Sequence, residues 1–516
     1  MSESTDSTTP RSNSALRWVP WIGAVIVVIA LLVVFRPAGE SDSETETPDV
    51  EATSAQATAE SCEQRQLPGS DYGPCKSDPS DADNGGSTAP GVTEDTVAVT
   101  FRVSNPAQLA ALEALAGDAL ASLGGDQDAT VSDLENLVAY FNENFELHGR
   151  QVVLDVFEGQ GEFLAEFQGD GVQGAQIDAA RARDLGAFAD VSLATMTQPY
   201  AEALAAEQIV LVGPVFMSEE WYEDRAPYAY GGAWPVGTDV GEFAGNVACE
   251  QLAGRPAEHG GSDVAGQPRT FGVVHPENPE YVKIAEAFES TLSSCGESVG
   301  RTLSYAIDLA SAQQNSVSAM AQLKDAGVTT VVCFCDSVYP SFLTQAADQQ
   351  QYEPEWLVQR WPDPWGRLAA QDQWSHAMEL GGQTQPLDAT EVGTAVDAAT
   401  DGAGAESPES VGLVYQQLLV LFSALQQAGP ELTAESFAQG LFELPATESG
   451  VFGPWSPGQG VYNLNTSFQL GWWSPEDQSA LDGTPGSVQN CGEGTWLRFD
   501  DPESMSSDGT QPGCFQ

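Results

Sequence analysis

The stretch Thr270 to Cys335, TFGVVHPENPEYVKIAEAFESTLSSCGESVGRTLSYAIDLASAQQNSVSAMAQLKDAGVTTVVCFC, sets the fold class. It opens on a short apolar run, Thr270 to His275, rich in β-branched residues and closed by Pro276, which reads as a buried strand. A helix is expected from Tyr281 to Leu292. A strand follows at Arg301 to Ile307, a helix at Gln314 to Ala326, and a second uninterrupted apolar run at Thr329 to Phe334. Apolar runs without in-out alternation suit strands buried on both faces, and the intervening helices are crossovers between parallel neighbours.

The same rhythm extends both ways. Towards the C-terminus come a helix at 342–350, a strand at Trp356 to Gln359, helices at 408–428 and 433–442, and a turn-rich stretch of hairpin character. Towards the N-terminus, strands are expected at Thr96 to Val103, Val152 to Phe157, Phe188 to Leu193 and Ile209 to Val212. Helices between them are expected at Val131 to Phe145, 172–185 and Pro199 to Glu207. The Gly/Pro/Trp-rich passage Tyr230 to Pro235 interrupts the alternation, which restarts with a helix at Val240 to Leu252. Two consecutive runs imply two α/β lobes. Ligands of open parallel sheets sit beyond the carboxyl ends of the strands, so two facing lobes make a cleft there.

The ends of the chain bear on location. Trp18 to Phe35 is eighteen residues without a charge, preceded by Arg11 and Arg17 and followed by Arg36 and an acidic stretch. At about 1.5 Å per residue such a helix just spans a hydrocarbon core. It is longer than a usual signal h-region and no small-x-small cleavage site follows, which favours an uncleaved anchor over a cleaved signal peptide. The cations before it favour a cytoplasmic N-terminus and place the rest outside, at the cell membrane, single-pass. Residues 37–90 are Ser-, Thr-, Glu-, Asp- and Pro-rich and read as a flexible acidic linker. Eight cysteines suit an oxidising compartment. Proximity suggests the pairs Cys62–Cys75, Cys249–Cys295 and Cys491–Cys514, leaving Cys333 and Cys335 as a close pair; no neighbouring His or second Cys pair supports zinc there.

Charge excludes some partners. Seventy-five acidic side chains against eighteen basic ones give a net charge of −57, which repels nucleic-acid phosphates and anionic lipid surfaces. The plainest reading of that charge is adaptation of a solvated surface. Catalysis finds no constellation: no HExxH, GxSxG or P-loop occurs, and of His148, His259, His275 and His376 only His275 ends a strand near the expected cleft. No cofactor or metal is expected.

Six segments in order resemble the type 1 periplasmic binding proteins, in particular the branched-chain amino-acid (leucine/isoleucine/valine) substrate-binding proteins of ABC transporters. They are Gly91 to Val97; Ala139 to Asn144 with His148-Gly-Arg150; Thr197-Gln-Pro199 with Ile209 to Pro214; Val273 to His275 with Tyr281; Thr329 to Pro340; and Gly450 to Pro454 with Gly460. No one of them is diagnostic; together they cover roughly residues 90–475. The resemblance implies two doubly wound lobes joined by a hinge, with crossings near 213–235, 360–375 and 445–455. The expected organisation is a cytoplasmic tail at 1–17, an anchor at 18–36, the linker at 37–90, a first lobe at 91–230, a second lobe at 231–360, a return to the first lobe at 361–475, and a C-terminal extension at 476–516.

The resemblance also implies a function: capture of a small molecule for the membrane subunits of an ABC permease, or ligand sensing through a partner receptor. In the amino-acid binders a loop Ser and a loop Thr hold the ligand carboxylate and an acidic side chain holds its ammonium. Here those positions fall at Ala194 beside Thr195, at Met217 beside Ser218, and near Arg360 or Trp361. A buried ammonium without a carboxylate partner costs several kcal/mol, roughly 3–5. A standard branched-chain amino acid is therefore disfavoured, and an aromatic, amide-like or anionic ligand is expected. Arg360 would pair with an anion, and Tyr281, Tyr339, Trp361, Trp365, Trp234 and Phe216 would supply walls. Each has a plainer reading: Phe216 and Met217 as core, the Trp residues as hinge packing, and Arg360 as a partner of Asp363.

Overall fold

A computed structural model describes residues 64–78, 83–106, 108, 127–382 except Ala194, Pro214, Ala233, Trp234 and Ser337, and 390–501. The expected anchor at 18–36, and Cys62 and Cys514, lie outside the described residues. Among the described residues no helix is long and apolar enough to cross a membrane.

Five strands build the first lobe: β1 (Thr96–Val103), β2 (Gln151–Glu158), β3 (Ala189–Asp190), β4 (Val210–Val212) and β5 (Ala229–Tyr230), all parallel, in the order β2-β1-β3-β4-β5. Helices Gln127–Asn144, Val172–Asp184 and Gln198–Ala206 connect them. The helix Gln198–Ala206 starts where the sequence prescribes: the Thr197 hydroxyl accepts the Tyr200 N–H and Pro199 occupies the first turn.

The second lobe holds β8 (Phe271–Pro276), β9 (Val299–Tyr305), β10 (Thr330–Cys333), β11 (Glu355–Gln359), β12 (Ala377–Gly381), β13 (Ser467–Gln478), β14 (Pro485–Asn490) and β15 (Leu497–Arg498). A two-residue ribbon of β6 (Pro256–Ala257) and β7 (Gln267–Pro268) stands apart. The path runs β14-β13-β12-β11-β10-β8-β9, with β15 on β13. The strands β8 to β12 are parallel, and β13 and β14 join antiparallel. Every residue of β8 and β10 is buried, as uninterrupted apolar runs require of central parallel strands. The helix Pro279–Ser294 is capped by Asn278, whose side chain accepts the Glu280 N–H.

Three differences from the sequence reading stand out. The second crossing does not lie at 360–375, because β11 and β12 both pair within the second sheet; the chain leaves that sheet only after Gly381 and re-enters the first lobe with helix Glu391–Ala399. The third crossing follows Trp455, not 445–455: Asn463 bridges Gly232 of the first crossing, and Asn465 bridges Trp455 before β13 enters the second lobe. Residues beyond 475 are not an appendage, since β13, β14 and β15 complete the second sheet. Local periodicity carries no information about which sheet a strand joins, so these points were closed to it.

The linker reading also needs correction over part of its length. Residues 64–78 lie on the first lobe, with Leu67 and Tyr72 buried in its core. Two buried anchors of this kind contribute roughly 1.5–3 kcal/mol each to holding the segment on the lobe. Of the cystines, Cys249–Cys295 and Cys333–Cys335 are formed, and Cys75 and Cys491 are each disulfide-bonded.

Candidate functional site

The carboxyl ends of β1, β3 and β4 in one lobe and of β8, β10 and β11 in the other carry the loops of interest. On the first lobe a buried ionic network sets their shape. Arg102, one residue before the end of β1, donates to both oxygens of Glu166 at 3.0 and 2.9 Å and to Asp178 at 3.0 Å. Its guanidinium also donates to the Thr195 carbonyl and lies 3.7 Å from the Tyr200 ring centroid. Burial alone would lower its pKa, but the Glu166 and Asp178 carboxylates more than offset that and hold it above the ordinary value. Thr195 completes the clamp by donating to the Arg102 carbonyl at 2.6 Å, and Thr197 donates to Glu166 at 2.5 Å. Beneath them, buried Asp190 accepts from Thr100, Tyr200 and the Ser192 N–H at 2.7, 2.9 and 2.9 Å. Burial raises the Asp190 pKa against the pull of those bonds. These bonds fix Ser192, Thr195 and Thr197 after β3.

The second lobe answers with a tyrosine–aspartate lock. Asp336, three residues past β10, accepts the Tyr305 hydroxyl at 2.7 Å and the Val338 and Tyr339 N–H groups at 2.8 and 2.9 Å. Tyr305 and Tyr339 stack with centroids 3.5 Å apart. Tyr339 is 3 % exposed and belongs to the second-lobe core. The cystine Cys333–Cys335 closes the same turn.

The lobes meet at Phe216, Met217 and Ser218. Phe216, on the loop after β4, packs against Tyr281 with ring centroids 5.8 Å apart and a 56° tilt. The Met217 carbonyl accepts the Gly237 N–H at 2.7 Å. The buried Ser218 N–H donates to Glu280 at 2.9 Å. Lys283 then donates to the Ser218 hydroxyl at 3.2 Å, to Glu280 at 3.1 Å and to Glu220 at 2.7 Å. Burial raises the Glu280 pKa, yet the Ser218 and Lys283 donors outweigh it and hold the carboxyl below its ordinary range. A further bond, from Asn278 to Gln198 at 2.7 Å, joins the starts of two helices across the gap. Tyr281 is pushed above its ordinary pKa by burial and then by the Asp336 charge, so it stays a neutral donor.

The seven residues expected at the site therefore separate. Met217, Ser218 and Tyr281 come together at the meeting of the lobes. Thr195 is 7 % exposed and committed to Arg102; Tyr339 belongs to the second-lobe core. Arg360 and Trp361 follow β11, but their contacts run elsewhere. Arg360 donates to the Gly382 carbonyl and to Asn490 at 2.9 Å, over Gly471, whose missing Cβ makes room for the guanidinium. At 8 % exposure it keeps two N–H positions, Nε and Nη2, without a partner. Burial brings its pKa down to about 10, opposed by Glu379 and Asp363. Trp361 lies against Trp365, centroids 6.1 Å apart and half-buried. Trp234 lies outside the described residues. Sequence reasoning missed Glu280, Lys283, Asp336 and Arg102, since an acidic or basic side chain is unremarked in so acidic a chain until its burial is known.

Other sites offer less. His275 is 6 % exposed and bonded to the Pro276 carbonyl at 2.7 Å. No cluster of three or more His, Cys, Asp or Glu among the described residues is arranged to hold a metal ion. An open depression lined by Thr88, Gln427, Glu431, Ser436 and Glu443 lies at the amino end of the first sheet, away from the strand ends described above.

No family model matches the chain, and no curated protein matches it either. Solved structures do. A leucine-, isoleucine-, valine-, threonine- and alanine-binding protein from Brucella ovis, in closed conformation, is similar with TM-score 0.55 and 13 % identity over 78 % of this chain and 96 % of that one. A fatty acid ABC transporter substrate-binding protein from Thermomonospora curvata gives 0.53 and 14 %, covering 78 % and 93 %. A solute-binding protein of an ABC transporter from R. palustris, in complex with 4-hydroxybenzoate, gives 0.53 and 12 %, covering 78 % and 97 %. The chain has the two-lobed α/β fold of the type 1 periplasmic binding proteins.

Proposed function

We propose that this protein is an extracytoplasmic solute-binding protein that captures a small molecule between its lobes and delivers it to an ABC-type permease, and that it is not an enzyme. The observation that carries the reading is the meeting of the two lobes at the carboxyl ends of their strands, through Phe216–Tyr281 and Ser218–Glu280. Hinged lobes with polar contacts at their lips suit closure around a guest. The apolar segment 18–36 serves in this reading as the anchor that keeps the receptor beside its permease and raises its effective concentration there.

The ligand we infer is aromatic, amide-like or anionic rather than a branched-chain amino acid. Phe216 and Tyr281 supply apolar walls, Met217 and Ser218 stand beside them, and Trp361 extends the aromatic surface from the second lobe. Arg360, set apart from that cluster on the second lobe where it donates to Gly382 and Asn490, keeps two unpaired N–H positions that suit an anion; Thr195 and Tyr339 act from behind, by holding the two loops. The fatty acid ABC transporter substrate-binding protein and the solute-binding protein in complex with 4-hydroxybenzoate, both of this fold, fit such chemistry. The test is a thermal-shift titration of the detergent-solubilised chain with leucine, valine, benzoate, 4-hydroxybenzoate, octanoate and their amides. A ligand that binds only the folded state raises the melting temperature. Shifts with carboxylates or amides and none with leucine support the reading; tight leucine or valine binding refutes it.

A further inference from the structure

We propose that residues 64–78 form a strap that braces the hinge and biases the lobes towards contact, so that the segment leading into the folded domain sets how readily the cleft opens. The proposal goes beyond solute capture and does not depend on which solute is bound.

The strap engages the first-lobe footing of two crossings at once. Tyr72, wholly buried, donates its hydroxyl to the Gly453 carbonyl at 2.8 Å and accepts the Phe452 N–H at 2.8 Å. Its ring lies 4.5 Å from that of Trp455 and 5.7 Å from that of Phe452, centroid to centroid. Trp455 in turn bridges Asn465, and the Ser456 N–H donates to the Leu464 carbonyl, so Tyr72 leans on the base of the third crossing. One residue earlier, the Asp71 N–H donates to Glu391 at 3.3 Å. Glu391 is the first residue of the helix that receives the second crossing, and Tyr415 of the central helix Val411–Gln427 holds its other oxygen at 3.4 Å.

The strap itself is a built feature rather than an adhering tail. Gly450, at φ +133°, has room for nothing larger, because a Cβ there would stand 2.2 Å from the Tyr72 hydroxyl. Gln66 donates to the Asn144 carbonyl at 2.9 Å and Arg65 to the Gly73 carbonyl at 2.9 Å, which closes the strap into a loop. Cys75 within it is disulfide-bonded. The arrangement it braces is one in which the lobes touch, through Asn278–Gln198 and Ser218–Glu280. Loosening the footing of two crossings frees hinge torsions that contact between the lobes must otherwise restrict, and shifts the population towards separation.

The experiment is an inter-lobe distance distribution from pulsed EPR, with labels introduced as non-canonical amino acids at exposed Asp184 and Asp325 of the full chain in detergent. Tyr72→Phe keeps the ring and loses only the two hydroxyl bonds; Tyr72→Ala removes both. The expected result is a longer and broader distribution in the Phe variant, with a severalfold rise in separated lobes, and a larger change in the Ala variant where it folds. An unchanged distribution in a folded Tyr72→Phe chain overturns the proposal. The measurement uses no ligand, so a failure of solute binding leaves it intact, and its own failure leaves solute capture standing.

Discussion

Replacing Arg102 with Met tests the electrostatic scaffold of the first lobe. The substitution keeps much of the side-chain volume and removes the guanidinium donors to Glu166, Asp178 and the Thr195 carbonyl, leaving Glu166 only the Thr197 hydroxyl and Asp178 only the Gln160 and Gly161 N–H groups. The two carboxylate side chains are 0 % and 1 % exposed, so water cannot replace the lost partner. Breaking a buried pair from one side costs roughly 3–5 kcal/mol, because the charge left behind stays desolvated. At room temperature that is a factor of about a hundred to several thousand in the folded-to-unfolded ratio. Urea unfolding followed by far-UV circular dichroism at pH 8 should therefore show a deficit of that size against the parent chain. The triple variant Arg102→Met, Glu166→Gln, Asp178→Asn should recover much of the loss at pH 8. A deficit under about 1 kcal/mol at pH 8, typical of exposed pairs, would refute the claim that this network is a buried, unshared one.

Three further outcomes are expected. Arg360→Met should leave stability at pH 7 within about 1 kcal/mol or raise it, since an under-partnered buried charge is removed, while abolishing any thermal shift produced by an anionic ligand; a loss of roughly 3–5 kcal/mol in urea would mark Arg360 as a structural ion instead. Burial pushes Glu379 up to about 8 and both Glu391 and Asp239 up to about 7. Their contribution is complete below the ordinary carboxylate range and is lost as pH climbs through those values, so unfolding midpoints should decline from pH 5 to pH 8; Glu379→Gln should flatten the upper part of that decline, and an unaltered slope would contradict the assignment. Loss of Cys249–Cys295, which spans 46 residues, should cost up to about 4 kcal/mol by loop entropy, against about 1 kcal/mol for Cys333–Cys335, which spans 2; equal effects of the two double-serine variants would exclude chain entropy as the main term.

The pattern of local periods was enough for much of this protein. Uninterrupted runs such as Val331-Val332 and Val273-Val274 suit central parallel strands buried on both faces, and the helices expected at 131–145, 281–292 and 408–428 are found at 127–144, 279–294 and 411–427. Two α/β lobes were legible for that reason, while the pairing Cys249–Cys295 followed from proximity along the chain, and Ser218 and Tyr281 were named only through the family resemblance. What only the tertiary structure decided are the relations between distant segments. The sheet that β12 and β13 join, the burial of Arg102 and Asp336, the stacking of Tyr339 on Tyr305 in the second-lobe core and the docking of Tyr72 on Gly453 each rest on a partner far along the chain. A side chain's own identity is the same whether it is solvated or buried. Its energetic role is set by what closes over it, and a one-dimensional pattern holds no record of that beyond its own turn or strand.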